Sequence, residues 1–146
     1  MKFYFKDGLT YQTTDFFGAG GVLKDLVDAY MQTKSAKLVG ESRGQVMDRL
    51  YTLCDEGGFI VLITLKHKVL GFFTCRVYDD TMLYIDFGMA SSEVPLKRSM
   101  KVVDAIAKKL SVKEIHFSGT RYKAMERLFQ PYGYIPYAYE FKKEVV

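Results

Sequence analysis

The sequence predicts a mixed-sheet α/β domain with the element order β-α-α-β-β-β-α-β-α-β, and three observations carry that reading. The middle of the chain, from Phe59 to Met89, is rich in β-formers and breaks into three runs at short polar turns, the pattern of an antiparallel meander. A long apolar stripe at helical spacing follows the meander and leads into another strand, a β-α-β unit whose strands run parallel. Two further helical stripes precede the meander. Antiparallel and parallel pairings together make a mixed sheet, and the helices must cover its faces. A chain of 146 residues suits one domain, residues 1–146, with one core and no need of disulfides or a structural metal.

Each element can be justified in order. Lys2 to Phe5 reads as a short first strand, ended by the turn pair Asp7-Gly8. Val22, Leu23, Leu26, Val27, Tyr30 and Met31 mark one face of a helix, and Val46, Met47, Leu50, Tyr51 and Cys54 mark a second, which Gly57-Gly58 ends. Phe59 to Leu65, Val69 to Val77 and Met82 to Met89 are the meander strands, with turns at Lys66-His67-Lys68 and Asp79-Asp80. A helix from Glu93 to Leu110 presents Leu96, Met100, Val103, Ile106, Ala107 and Leu110. Ser91 or Ser92 caps it, Pro95 fits its first turn, and Lys108-Lys109 suits the negative end of its dipole. Lys113 to Ser118 is a strand with Ile115 and Phe117 on one side. Arg121 to Phe129 is a helix, and Gln130-Pro131-Tyr132-Gly133 turns into a last strand where Ile135, Tyr137, Tyr139 and Phe141 alternate with their neighbours.

Composition narrows the function. Apolar residues at 49% and charged residues at 26% describe a folded chain, and a net charge of +4 is too small to argue for nucleic acid as a partner. Cys54 and Cys75 lie in apolar runs without metal-ligand spacing, which suits free thiols in a reducing compartment. Charge interrupts the N-terminus too early for a signal peptide, and no apolar run would span a bilayer; a cytoplasmic location and no membrane partner are expected. The two histidines and two separated cysteines speak against a metal site. Gly18-Ala19-Gly20-Gly21 lacks the Gly-Lys-Ser/Thr ending of a phosphate loop and reads as a flexible helix entry.

Two stretches resemble a known family. Glu126-Arg127-Leu128-Phe129-Gln130-Pro131-Tyr132-Gly133-Tyr134, followed by an aromatic strand, is similar to the segment that closes the GNAT acyltransferases. Leu83-Tyr84-Ile85-Asp86-Phe87-Gly88-Met89-Ala90, leading into a helix, resembles that superfamily's fourth strand and central helix. The likeness covers roughly the C-terminal 60% of the chain, and the N-terminal third matches only in element type. The short, aromatic, motif-poor chain is also similar to degenerate GNAT-like proteins encoded by phages.

The resemblance implies a GNAT-like fold and an acyl-CoA-dependent N-acetyltransferase. Acetyl-CoA would lie between the strands around Asp86 and His116, with its pyrophosphate at the start of the helix after Ala90, where free N–H groups and the helix dipole favour an anion. Phe87, Gly88 and Met89 would bind the cofactor through backbone, and Lys97 and Arg98 through charge. The acceptor would be an amine on a small molecule or protein, deprotonated by Asp86 or His116. On the cleft face, beside Tyr84 and Gly88, Asp86 would be desolvated and so a stronger base.

The chain also departs from the family pattern. Ser91 to Met100 contains no glycine to cradle a pyrophosphate, Pro95 removes one donor, and Glu93 adds a negative charge, so the stretch also reads as a plain capped helix start. Phe129 stands where the family often carries its proton-donating tyrosine, which leaves Tyr132, Tyr134 or Tyr122 to substitute. These losses suggest the alternative of a non-catalytic protein on the same scaffold, phage-encoded and placed in a virion or on a host factor in the host-cell cytoplasm. An exposed sheet edge and the aromatic last strand could support a homodimer.

Overall fold

Asp7-Gly8 makes a turn between two strands, one more than the N-terminal sequence predicts. In the computed structural model, which describes residues 1–118, 122–137 and 140–146, β1 (Lys2–Tyr4) pairs antiparallel with β2 (Leu9–Thr14). Gly8 takes φ 92° in the turn, a conformation few other residues adopt. Leu9 and Tyr11 are buried from β2, an alternation of LTYQTT that polar residues mask in the sequence.

Four helices follow where two were expected: α1 (Phe16–Ala19), α2 (Val22–Met31), α3 (Lys34–Val39) and α4 (Arg43–Asp55). Gly18 and Ala19 thus belong to α1, and Gly20 and Gly21 turn the chain into α2. Asp15 caps α1 by accepting from the Gly18 N–H at 2.6 Å, and a Cβ on Gly18 would come within 2.3 Å of Thr14 Oγ1. A capping box starts α4, with the Gln45 N–H donating to Ser42 Oγ at 3.2 Å and the Ser42 N–H to Gln45 Oε1 at 2.8 Å. The inner face of α4 is Val46, Leu50 and Leu53, while Tyr51 is exposed.

The meander forms as expected: β3 (Phe59–Leu65), β4 (Lys68–Tyr78) and β5 (Met82–Ala90) pair antiparallel. Its turns place Lys66 and His67 at φ 48° and 68°, and Asp79 and Asp80 at φ 50° and 55°, the backbone twist that tight hairpins require. The crossover helix is α5 (Leu96–Lys109), and β6 (Glu114–Ser118) returns parallel to β5. The chain then forms α6 (Tyr122–Phe129), a 3₁₀ turn (Gln130–Tyr132), β7 (Ile135–Tyr137) and β8 (Glu140–Glu144). Among the described residues the sheet order is β1-β2-β3-β4-β5-β6-β8-β7.

Two sequence expectations change here. The final segment is a hairpin, not one strand, so the alternation does not run through it: Tyr134 is 2% exposed and Phe141 1%, whereas Ile135 is 55% exposed. Residues 138 and 139, part of that expected alternation, and Arg121, the expected helix start, lie outside the described residues. The crossover helix begins at Leu96, not Glu93. Pro95 is extended (φ −66°, ψ 128°) and sits at the N-cap, while Ser91 turns inward on its own loop, accepting from the Glu93 N–H at 3.2 Å and, through its carbonyl, from the Val94 N–H at 3.0 Å. No side chain caps α5.

The sheet carries a core on each face. On one, Tyr11, Val61, Ile63, Cys75, Leu83 and Ile115 pack against Val102, Val103, Ile106 and Ala107 of α5. On the other, Ile60 and Phe72 pack against Leu23, Val27 and Tyr30 of α2 and Val46 and Leu50 of α4. No helix among the described residues is long and apolar enough to cross a membrane.

The central strand passes from one core to the other. Phe73 pairs with Gly88 and Cys75 with Ile85, so the single residue Thr74 faces both Asp86 and Phe87, a β-bulge. The side chains shift phase at that point: Leu83 and Ile85 pack in the α5 core, Phe87 and Met89 in the opposite one. The buried Thr74 hydroxyl closes the bulge. It accepts from the Phe87 N–H at 3.2 Å and donates to the Phe87 carbonyl at 3.3 Å.

Thr74→Val keeps the shape and removes both bonds, leaving a backbone N–H and carbonyl unsatisfied at the bulge. It is expected to lower unfolding stability by about 1–3 kcal/mol, read by urea denaturation, with Thr74→Ser retaining most of the wild-type value.

Candidate functional site

Where the bulge begins, the paired run of β5 with its parallel neighbour ends. The β5–β6 ladder runs from Met82↔Glu114 to Ile85↔Phe117 and ends there, while β6 continues on its other side to pair Ser118 with Glu140 of β8. Among the described residues the two strands thus share one edge over four pairs only. A cavity of about 590 Å³ occupies the opening. Its walls come from both faces of the sheet: Leu96, Ser99 and Met100 of α5 and Met125 and Phe129 of α6 on one, Tyr30, Ser35 and Arg49 of the N-terminal helices on the other.

The expected site residues divide. Asp86, half-buried, lines this cavity together with Phe87, Gly88 and Met89. Gly88 is required there: a Cβ would come within 2.3 Å of the Phe72 carbonyl oxygen and 2.7 Å of Phe73 Cα. Because of the bulge, Gly88 and Tyr84 face opposite sides of the sheet instead of sharing one with Asp86. The Phe87 N–H, one of the backbone groups expected to bind the cofactor, is taken by Thr74.

The other expected residues stand away from the cavity wall. His116 is 5% exposed, in register with Tyr84, and its Nε2 lies 3.7 Å from Glu114 Oε1. Tyr132 packs at the edge of the α5 core from the 3₁₀ turn. Tyr134 is buried against Phe117 and Phe129, and among the described residues its hydroxyl makes no hydrogen bond. Burial, helped by the charge of Asp104, pushes that phenol well above its ordinary value, so it holds its proton. The Tyr122 side chain lies outside the described residues. Phe129 does face the cavity, and it carries no proton to give.

Of the two cations, Lys97 is exposed on the first turn of α5. Arg98 reaches back to the N-terminal hairpin, where it pairs with Asp7 and lies over the Phe5 ring, 5.0 Å from its centroid. The Arg98 hydrogen bond, with the Leu9 N–H adding to it, holds the Asp7 carboxyl below its ordinary value of 3.8.

Sequence reasoning missed several wall residues. Ser99 Oγ and Tyr11 Oη lie 2.7 Å apart across 88 positions of chain, and burial raises the Tyr11 phenol despite the opposing effects of Ser99 and Arg98. Arg49 lies over Phe87, its guanidinium carbon 3.9 Å from the ring centroid. The helical stripe of α4 gave no sign of Arg49, because it lies off the apolar face.

This architecture is the GNAT fold. Three solved structures show it: Ard1 from Thermoplasma volcanium (TM-score 0.67, 11% identity, covering 95% of this chain and 99% of that one), a GNAT family acetyltransferase from Elizabethkingia anophelis with acetyl-CoA bound (0.66, 15%, 95% and 99%) and the Campylobacter jejuni N-acetyltransferase PseH in complex with acetyl coenzyme A (0.62, 12%, 93% and 99%). By sequence, no family model and no curated protein matches the chain.

The Asp7–Arg98 pair predicts a titration. Its stabilisation is complete above pH 3.8 and is lost as pH falls through the lower folded value. Carboxyl-detected NMR should place the Asp7 midpoint below 3.8 in the native protein and move it up towards 3.8 in Arg98→Ala.

Proposed function

We propose that the chain is an acyl-CoA-dependent N-acetyltransferase, and the observation that carries this reading is the opening between β5 and β6 beside an uncapped helix start. The residues present fit the donor. The Arg98 and Ser99 N–H groups donate to the Pro95 carbonyl, but α5 has no side-chain cap and Leu96 lines the cavity, so the Leu96 and Lys97 amides and the helix dipole are available to a pyrophosphate, with exposed Lys97 adding charge. The exposed backbone of Gly88 and Met89 would take the pantetheine arm. Acetyl-CoA supplies, when bound, an acyl group activated as a thioester, whose carbon–sulfur bond is exchanged for a carbon–nitrogen bond to the acceptor amine.

Asp86 is the base of this reading. It sits at the bulge, where the sheet opens and the two halves of the cavity meet, and it would hold the acceptor ammonium and take its proton. The departing sulfur would be protonated from water, since Phe129 offers no hydroxyl at the cavity wall. The support from comparison is that two structures of this fold carry acetyl-CoA.

Phe129 also favours a second reading, a GNAT-fold interaction protein without turnover, such as a phage-encoded virion component or host-factor binder.

Calorimetric titration with acetyl-CoA and desulfo-CoA separates the two. Saturable binding of both is expected, and no heat at millimolar ligand would leave only the interaction protein. Asp86→Asn is then expected to lower turnover by about 10²–10⁴-fold with acetyl-CoA binding unchanged; an unaltered rate removes Asp86 from the reaction.

A further inference from the structure

Among the described residues, the cavity is lined by one cation and one anion, Arg49 and Asp86, and otherwise by apolar or neutral side chains. Arg49 stands on α4, on the face of the sheet opposite α5, so it is not placed to meet a phosphate at the α5 N-terminus. Its guanidinium carbon lies 3.9 Å from the Phe87 ring centroid, and Nη2 is ion-paired with Glu41 Oε1 at 3.0 Å. Tyr30 Oη lies 3.5 Å from the same nitrogen, at the limit of a hydrogen bond. Nε is buried and makes no hydrogen bond, and Nη1 has no partner among the described residues. A half-buried guanidinium held over a ring and beside one carboxylate, with Nη1 unspent, is a receptor for a further carboxylate. Phe87, the ring it rests on, is the neighbour of Asp86.

From this we infer that the acceptor is a free amino acid, its carboxylate held by Arg49 and its ammonium by Asp86, with an apolar side chain against Tyr30, Val39 and Phe72. The inference rests on the acetyltransferase reading above and names its substrate class. One cation and one anion on the same cavity wall complement the two charges of a zwitterion. A peptide N-terminus has an amide where this acceptor has its carboxylate, so the same site discriminates against peptides.

The test is a calorimetric titration of the protein, without acetyl-CoA, by L-phenylalanine, L-phenylalaninamide and phenethylamine, extended to the common amino acids. An apolar amino acid is expected to bind at least about tenfold more tightly than its amide or decarboxylated amine, a difference of about 1.4 kcal/mol. Arg49→Gln should erase that preference and Arg49→Lys should keep part of it. The Glu41→Gln/Arg49→Gln double variant removes the stranded carboxylate and guards against misfolding, which its Tm reports. Equal binding of the three probes, tighter binding of the amide, binding of no amino acid at all, or a preference that survives in the double variant overturns the inference. Failure of acetyl-CoA to bind in its own titration would instead count against the transferase reading, so the two failures are separable.

Discussion

The hydroxyl of Thr74 holds the place on which the site depends. An extra residue in a strand leaves a peptide group out of the ladder, and in a buried sheet an unpaired N–H and carbonyl cost free energy on the scale of a lost hydrogen bond each. Thr74 serves both groups of Phe87 with one side chain, so the bulge leaves neither unpaired in the middle of the sheet. The bulge then does two things. It moves the side chains of β5 from the α5 core to the opposite core, and it begins where the β5–β6 ladder ends. A cavity walled from both faces of the sheet is the geometric result.

The two walls differ in chemistry because different helices supply them. The α5 side offers an uncapped helix start and the side chains Ser99, Met100, Met125 and Phe129, with Tyr11 behind Ser99. The opposite side offers Arg49, Tyr30 and Phe72. Asp86 stands at the junction.

Arg98 shows how a charge visible in sequence is spent elsewhere. It lies next to Lys97 on the first turn of α5, where an anion would be welcome, yet Asp7 and Phe5 hold it on the β1–β2 hairpin. That contact ties the N-terminal hairpin to the crossover helix across 91 positions of chain.

The periodicities determined a good deal by themselves. The stripe of α2, the run of β3 and the two polar hairpin turns follow from spacing and turn chemistry, which are local properties, and the family likeness in Leu83 to Ala90 and Glu126 to Tyr134 pointed to the fold and to Asp86, Phe87, Gly88 and Met89. The rest is non-local. That β2 is a strand is hidden because its outward residues are threonines and a glutamine and its inward Tyr11 needs Ser99 to be satisfied. That the last segment folds back on itself depends on β8 pairing with β6. That Tyr84 and Gly88 part company depends on a threonine in the neighbouring strand, and that Arg49 reaches the site depends on how α4 lies against the sheet. Sequence specifies which face of each element is apolar; which faces meet, and what polar atoms are brought together between them, is decided only when the strands pair and the helices pack.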